Sequence, residues 1–133
     1  MLEGKLQVML YVSDLERSVE FYRDRLGFGF SGYWDDATDE VVEDWDDVEE
    51  PGYAEVTVGE DSVGLHPDPD FEPGRTRIKI SFTVDDVDAI YEAAVADGVV
   101  EATEPEDFPW GARMFTITDP DGHEIDFVQP LEG

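Results

Sequence analysis

The sequence predicts an α+β fold in which two βαβββ modules pair into a curved mixed sheet that forms a cup, with the helices outside. Segments with an apolar residue at every second position alternate with segments in which apolar residues recur every three or four positions, which indicates strands and helices. Residues 12–15 (VSDL) and 84–87 (VDDV) correspond at an offset of 72 residues, and each begins a similar unit. Residues 110–129 form a hairpin, because the DPDG at residues 119–122 is turn chemistry.

Module one spans about residues 4–66 and is predicted to contain one helix between its first two strands. Residues 6–12 form a strand whose side chains alternate between an apolar row and a row containing Gln7, Met9 and Tyr11. Ser13 or Asp14 then caps a helix that runs to about residue 26. The module closes with strands at residues 28–34, 53–58 and 62–66.

Two stretches interrupt this regular pattern. Ten of the sixteen residues 35–50 are acidic, and this segment is predicted to be an exposed loop with at most a short helical turn around Val41, Val42 and Trp45. Residues 67–75 contain three prolines and are predicted to be the linker between the modules.

Module two spans about residues 76–130 and repeats the order of module one. Residues 77–84 alternate as a strand, and Asp85 or Asp86 caps a helix that ends at Gly98. That helix is predicted to pack through an apolar stripe that includes Val95. A short strand is predicted near residues 100–103, before the closing hairpin.

The strand faces that point away from the helices are expected to line one shared cup. On the first strands of the two modules this face carries Gln7 and Lys79. On the last strands it carries Gly64 and Asp126. The repeat makes these four positions pseudo-symmetric partners at the floor of the cup.

The composition excludes several kinds of protein. At 133 residues and 15.0 kDa the chain fits a single domain, and it has no cysteine for disulfides, thiolate ligands or a nucleophile. No apolar run approaches the roughly 20 residues that span a bilayer, and residues 1–10 lack the features of a signal peptide. We therefore expect a cytoplasmic protein without a membrane partner.

The charge is strongly negative, with 35 acidic residues, 8 basic ones and a net charge of −27. Nucleic-acid binding is excluded, because phosphate contacts need a basic face. An acidic, lysine-poor surface is typical of proteins from salt-accumulating halophiles, in which molar salt shortens the Debye length to about 3 Å. A specialised acidic binder of cationic ligands is the alternative. Unfolding at low salt with rescue by molar KCl distinguishes the two.

Two stretches carry a family resemblance: VSDLERSVEFYRDRLGF at residues 12–28 and WGARMFTITDPDGHEIDF at residues 110–127. With the internal repeat, they resemble the vicinal oxygen chelate (VOC) superfamily. That superfamily includes glyoxalase I, bleomycin-resistance proteins, fosfomycin-resistance enzymes, methylmalonyl-CoA epimerases and extradiol dioxygenases. The resemblance implies paired βαβββ modules around a ligand cup, often in a homodimer.

The resemblance also implies where a metal would bind. Metal-using members carry ligands at four positions, which in this sequence are Gln7, Gly64, Lys79 and Asp126. Gln occurs at the first position in glyoxalase I, and Asp126 is a carboxylate one methylene shorter than the usual Glu. Gly64 offers no side chain, and a protonated lysine has no lone pair to donate. We therefore expect no metal cofactor.

Lys79, Asp126 and His66 are the candidate catalytic residues. Lys79 and Asp126 are either an acid–base couple, with Lys79 as a possible Schiff-base lysine, or an ion pair standing where other members hold a metal. His66 is either a displaced metal ligand or general base, or a residue at the cup rim. His123 follows the hairpin turn and is expected to be a turn or exposed residue.

Aromatic residues near the predicted cup mouth are candidates for ligand binding. We predict Trp34 and Trp110 as stacking walls and Tyr11 as part of the lining. Arg113 is expected to cover a sheet face or bridge a dimer.

The leading hypothesis is a metal-independent small-molecule-binding protein that resembles the bleomycin-resistance branch. The alternative is a glyoxalase-like lyase or isomerase. It would bind Ni, Zn, Mn or Fe through Gln7, Asp126 and either Glu124 or His66, with the homodimer completing the site. A third hypothesis is an interaction module in which acidic residues 35–50 recruit a partner protein.

Overall fold

The protein was analysed as a computed structural model that describes residues 7–72, 79–99 and 101–131. The chain divides into two compact units, unit one (Met1–Glu72) and unit two (Pro73–Gly133). Several predicted features lie outside the described residues: the first residues of both modules, the strand starts at residues 6 and 77–78, part of the linker, and Val100. Each unit consists of a mixed sheet with helical segments, so the α+β class is confirmed.

Unit one contains a five-stranded sheet with strand order β1-β5-β4-β2-β3. Strands β1 and β5 are parallel, and the remaining pairs are antiparallel. The elements in chain order are β1 (Val8–Val12), α1 (Leu15–Val19), a π-helical segment (Glu20–Arg25), β2 (Gly29–Asp35), β3 (Glu40–Val42), a 3-10 helix (Trp45–Asp47), β4 (Pro51–Val58) and β5 (Asp61–Pro67).

Unit two contains a four-stranded sheet with strand order β6-β9-β8-β7, in which β6 and β9 are parallel. Its elements are β6 (Lys79–Thr83), α2 (Val87–Ala96), β7 (Glu106–Phe108), β8 (Ala112–Thr118) and β9 (Glu124–Pro130). When β3 is set aside, unit one has the same order, because β1, β5, β4 and β2 take the places of β6, β9, β8 and β7. The predicted βαβββ repeat is therefore present in the strand topology.

Each sheet buries one face beneath its own helix. Helix α1 packs on β4 and β5, and α2 packs on β8 and β9. Each fully buried large apolar side chain stabilises the fold by about 1.5–3 kcal/mol. Val95 was assigned to the apolar stripe of α2 but is 46% exposed, so that assignment was wrong. The core of unit one includes Val12, Leu15, Val19, Tyr22, Val56 and Leu65, and that of unit two includes Val87, Ala94, Phe115, Ile117, Ile125 and Phe127.

The first helix changes type after Val19. Asp14 is its N-cap, because its carboxylate accepts from the amide of Arg17 at 3.2 Å. From Glu20 onward the helix is π-helical, as in the 3.1 Å bond from Leu26 N to Phe21 O. The consecutive residues Phe21 and Tyr22 of this segment are both buried.

The acidic segment 35–50 is more ordered than the predicted loop. The short helical turn is present at Trp45, as the 3-10 helix Trp45–Asp47, but Val41 and Val42 belong to β3. Asp35 explains this order, because its side chain is buried and accepts hydrogen bonds from the amides of Ala37, Glu49 and Glu50 at 2.9–3.0 Å. These hydrogen bonds to a carboxylate connect the end of the segment, at Glu49 and Glu50, to Asp35 at the end of β2.

The strand predicted near residues 100–103 was also misplaced. Ala102 forms only an isolated bridge with Ile117, and the strand that pairs with β8 on the side away from β9 is β7 at Glu106–Phe108. Pro105 separates the two pairings, because proline has no amide hydrogen to extend a ladder.

Arg113 joins α2 to β7 through ion pairs, and its covering of a sheet face or bridging of a dimer stays a prediction. Its guanidinium donates to Asp88 at the start of α2 at 2.9 Å and to Asp107 on β7 at 3.0 Å. The hydrogen bonds from Arg113 lower the pKa of Asp88 below its usual value. Among the described residues, no helix is long and apolar enough to cross a membrane.

Candidate functional site

In unit one, the phenol of Tyr53 fills the space beside Gly64. Gly64 lies on β5 opposite Glu55 of β4 and beside Met9 of β1. A Cβ added to Gly64 would lie 2.8 Å from Cε1 and 2.9 Å from Cζ of Tyr53, and nearer still to the hydroxyl oxygen. Ordinary van der Waals contact begins at about 3.5 Å. Position 64 therefore lacks a side chain because the ring of Tyr53 lies over it.

Hydrogen bonds on both sides hold the Tyr53 hydroxyl. Gln7 Nε2 donates to the Tyr53 oxygen at 3.2 Å, and the hydroxyl donates to Glu55 Oε2 at 3.3 Å. Burial, followed by the charge of Glu55, raises the pKa of the Tyr53 phenol above its usual value. The phenol therefore stays protonated and acts as the donor to Glu55 at neutral pH.

In unit two, the ammonium of Lys79 lies between two carboxylates. Lys79 Nζ is 3.5 Å from Glu124 Oε2 and 3.6 Å from Asp126 Oδ1. The Thr116 hydroxyl also donates to Asp126 Oδ1 at 2.7 Å. Asp126 is only 6% exposed, whereas the Lys79 side chain is 51% exposed. The expected pairing of Lys79 with Asp126 is present, with Glu124 as a second partner.

These positions do not fit a divalent metal ion. In unit one, position 64 has no donor and its space holds a neutral phenol. Gln7 turns its amide toward that phenol. In unit two, Lys79 presents a cation to Asp126, and a protonated lysine has no lone pair for a metal. Hard divalent ions need several oxygen or nitrogen ligands, which these side chains do not supply.

His66 and Tyr11 lie side by side at the end of the parallel pair β1 and β5. Their rings meet edge to face with centroids 5.4 Å apart. His66 is exposed, and its Nδ1 lies 3.3 Å from the carbonyl oxygen of Pro67. Since a carbonyl only accepts, this contact leaves Nε2 as the nitrogen available to a ligand. Catalysis or metal binding by His66 stays a prediction.

Trp34 extends the same face of the unit-one sheet. It pairs with Tyr53 across β2 and β4, and it is 36% exposed. Directly opposite residues of an antiparallel pair share a face, and so do Tyr53, Gly64 and the β1 row. One face of this sheet thus brings together four of the predicted ligand-binding residues: Gln7, Tyr11, Trp34 and His66.

Trp110 lies in the connection between β7 and β8 in unit two. It is 68% exposed, and its ring stacks on Phe108 with centroids 4.6 Å apart and planes 18° from parallel. This connection belongs to the side of the sheet opposite β6, so Trp110 is remote from the Lys79 cluster along the sheet order. Its role as a ligand wall stays a prediction, as does the shared cup.

His123 is in the hairpin turn, the first of its two predicted alternatives, and it is not exposed. Its exposed fraction is 7%, and its amide donates to Asp119 Oδ1 at 2.8 Å. The same oxygen accepts from the amide of Asp121 at 3.0 Å. The Asp119 carboxylate thus stabilises the turn through two backbone amides, and Asp119 and His123 are both buried.

Three contacts in the two units were not predicted from the sequence. The place of Tyr53 over Gly64 depends on the register between β4 and β5, which alternation alone does not reveal. Thr116 pairs with Asp126 across β8 and β9, a contact that the hairpin register could have indicated. Asp35 reaches amides 14 and 15 residues away, and no local pattern signals such a bond.

Comparison with known proteins agrees with this architecture. The model of the Glyoxalase/Bleomycin resistance protein/Dioxygenase superfamily matches residues 6–127. The chain is 29% identical over 131 residues to the uncharacterized protein YraH of Bacillus subtilis, covering 95% of this chain and 98% of that protein. It is 27% identical over 143 residues to a probable lactoylglutathione lyase of Vibrio cholerae, covering 93% and 88%.

A solved structure shows the same fold. TnmS3, an antibiotic binding protein from Streptomyces sp. CB03234, superposes with a TM-score of 0.68. It is 27% identical in sequence, and the match covers 98% of this chain and 99% of TnmS3.

Proposed function

The chain belongs to the Glyoxalase/Bleomycin resistance protein/Dioxygenase superfamily, and we propose that it is a metal-independent small-molecule-binding member. The observation that carries this proposal is Lys79, whose ammonium lies within 3.6 Å of Asp126 at a position where metal-using members supply a ligand. A fixed cation at that position neutralises the carboxylate and repels a divalent ion. This arrangement favours the binding of a small molecule over a reaction that depends on a metal ion.

The exposed aromatic face of unit one supports a ligand that is an organic molecule. Tyr11 is 57% exposed, Met9 is 51% exposed and Trp34 is 36% exposed on a sheet face that carries few charges. Aromatic and sulfur-containing side chains at a partly polar surface are typical of sites for small molecules. The similarity to the antibiotic binding protein TnmS3 favours the same class of function.

The rival function is a metal-dependent lyase or isomerase, which the similarity to a probable lactoylglutathione lyase favours. That reaction would need a divalent ion with open coordination positions. In this chain it would have to expel Lys79 from Asp126 and gather further ligands, since Gly64 supplies none.

Ligand binding in the presence of a chelator tests the proposal. Protein with EDTA and protein without it are each heated with a panel of aromatic small molecules, bleomycin among them, and Tm is recorded. A ligand at 100 times its Kd stabilises the folded state by about 2.7 kcal/mol. We expect at least one compound to raise Tm by the same amount with and without EDTA.

The rival predicts a different result in the same experiment. If stabilisation or formation of lactoylglutathione requires added Ni²⁺, Zn²⁺ or Mn²⁺ and disappears in Asp126→Ala, the metal-independent proposal is wrong. Asp61→Asn, which removes an exposed carboxylate from the first residue of β5, is the matched control for the change of charge.

A further inference from the structure

A second concave site lies in unit two, beside the strand pair β7 and β8. The chain first bonds to β8 at residues 101–103: the Thr118 amide donates to Glu101 O and the Thr103 amide donates to Thr116 O, both at 2.9 Å. It rejoins β8 as β7, where Glu106 pairs with Met114. Between these pairings the chain leaves the sheet and a cavity of about 320 Å³ opens. Its lining residues are Thr103, Glu104, Glu106, Phe108, Met114, Phe115 and Thr116.

The floor of this cavity is apolar and fixed in place. Met114 lies opposite Glu106, so the two side chains share one face of the sheet. Phe108 follows two residues later on that face, and its ring is stacked on Trp110 at 4.6 Å. A flat aromatic wall beside a flexible thioether suits a ligand with an apolar body.

The walls of the cavity are negatively charged. Glu104 and Glu106 are both exposed, and no hydrogen bond or ion pair to another described side chain neutralises either carboxylate. The neighbouring acids differ, because Lys79 lies against Glu124 and Asp126, and Arg113 binds Asp107. Each of those clusters, with one cation and two carboxylates, keeps one net negative charge, whereas Glu104 and Glu106 together keep two. An anion would therefore be repelled at the cavity.

We propose that this cavity binds the cationic end of a small organic molecule, an ammonium carried on an aromatic or other apolar body. Glu104 and Glu106 would pair with the cation, the Phe108 ring would offer its face to it, and Met114 would contact the apolar body. The volume lies at the lower end of the about 300–1,000 Å³ of small-molecule sites. This inference rests on the proposed function and names a ligand class and a location for it.

Methionine methyl NMR can locate such a ligand. The chain has three methionines, of which Met114 lines the cavity and Met9 lies on β1 in unit one. Protein labelled with ¹³C at the methionine methyls is titrated with benzyltrimethylammonium, at the lowest KCl concentration that preserves the folded circular dichroism spectrum. Met114→Leu assigns the resonance. We expect the Met114 methyl signal to shift with saturation while the Met9 signal stays in place.

Charge-matched variants test the chemistry. Glu104→Gln with Glu106→Gln is expected to weaken binding of benzyltrimethylammonium about five- to twentyfold, as the loss of two partly exposed ion pairs allows. Glu92→Gln with Glu101→Gln removes the same charge from exposed positions outside the lining and should leave the affinity within about twofold. Benzoate and benzyl alcohol, the anionic and neutral analogues, should not shift Met114.

Three outcomes would overturn the inference: no Met114 shift with the cation, equal shifts with benzoate, or equal weakening in the two double variants. A compound that raises Tm without EDTA sensitivity but shifts Met9 and not Met114 would overturn this site alone. The proposed function would then survive, so the two failures are distinguishable.

Discussion

The last strands of the two units, β5 and β9, occupy equivalent places in the same topology. The residues at their corresponding positions, Gly64 and Asp126, have opposite surroundings. Gly64 lies beside Met9 in the parallel pair of unit one, as Asp126 lies beside Ser81 in that of unit two. At the first, a neutral ring from the adjacent strand fills the space. At the second, a buried carboxylate is held by a hydroxyl and an ammonium.

This difference shows that equivalent positions of the two sheets can be stabilised either by packing of a neighbouring ring or by hydrogen bonds and opposite charge. In unit one the neighbouring Tyr53 supplies volume, and a side chain at position 64 would displace it. In unit two Thr116 and Lys79 supply a donor and a charge, which Asp126 needs because burial of an unpaired carboxylate is costly. The two solutions should respond differently to mutation.

The largest effect is expected at Gly64. Gly64→Ala places a Cβ against the Tyr53 ring and should lower the free energy of unfolding by about 1–3 kcal/mol, the usual cost of overpacking. Urea denaturation measures it, with Ser62→Ala on the same strand face as control. In a Tyr53→Ala background most of this cost should vanish. An equal cost in both backgrounds would show that Tyr53 does not determine the glycine.

The next effect concerns Asp35, since the segment it closes has no counterpart in unit two. Asp35→Asn turns the acceptor of the Glu49 amide into a donor and should lower Tm by about 5 °C or more in thermal unfolding at pH 7. Asp36→Asn, at the exposed neighbouring position, should change Tm by less than about 2 °C.

The Asp35 effect should also depend on pH. Hydrogen bonds from the amide of Glu49, and then from those of Glu50 and Ala37, hold the pKa of Asp35 below its usual value. A carboxylate with a lowered pKa contributes stability above its unfolded pKa of about 3.9 and loses it as the pH falls through the folded pKa. The Tm difference between wild type and Asp35→Asn should be complete at pH 6 and shrink below about pH 4. A constant difference would contradict this origin.

In unit two, Thr116→Val should cost more than any change at Lys79. The variant keeps the shape of the side chain but removes the donor to Asp126 Oδ1, which should lower the free energy of unfolding by about 1–2 kcal/mol. Thr118→Val on the same strand is the control, and urea denaturation measures both. Equal, small effects would mean that Thr116 does not hold the buried carboxylate.

The smallest effect is expected for Lys79→Met. The Lys79 side chain is half exposed, so its ion pairs should contribute less than about 1 kcal/mol, and less still as KCl is raised. Lys79→Arg should retain the contribution. A loss greater than that of Thr116→Val would make charge, and not the hydroxyl, the main support of Asp126.

Much of this fold could be predicted from the sequence, because one face of each sheet is buried and burial follows alternation. Phe115 and Ile117, which alternate along β8 with the polar-facing row, are both buried. Alternation along the strands, together with the family resemblance, likewise placed Lys79 and Asp126 close together, and the two side chains form an ion pair. Alternation predicts which face of a strand is buried, but it does not predict which residues of adjacent strands lie opposite each other.

The features that were missed depend on register or on distant backbone contacts. Tyr53 reaches Gly64 only because Glu55 pairs with Gly64, and Lys79 gains Glu124 because these two residues are paired on β6 and β9. The ordered structure of residues 35–50 depends on hydrogen bonds to Asp35 from the amides of Glu49 and Glu50, which are 14 and 15 residues further along the chain. The change from α- to π-helix after Val19 was missed because the spacing of apolar residues there also fits an α-helix.

The most direct test of metal independence is a calorimetric titration of the metal-free protein with Ni²⁺, Zn²⁺ and Mn²⁺, run in parallel on Asp126→Ala. With Lys79 at Asp126 and Tyr53 at Gly64, we expect no stoichiometric complex and identical weak heats from both proteins. A 1:1 complex with any of these ions that Asp126→Ala abolishes would contradict the account and favour the lyase or isomerase.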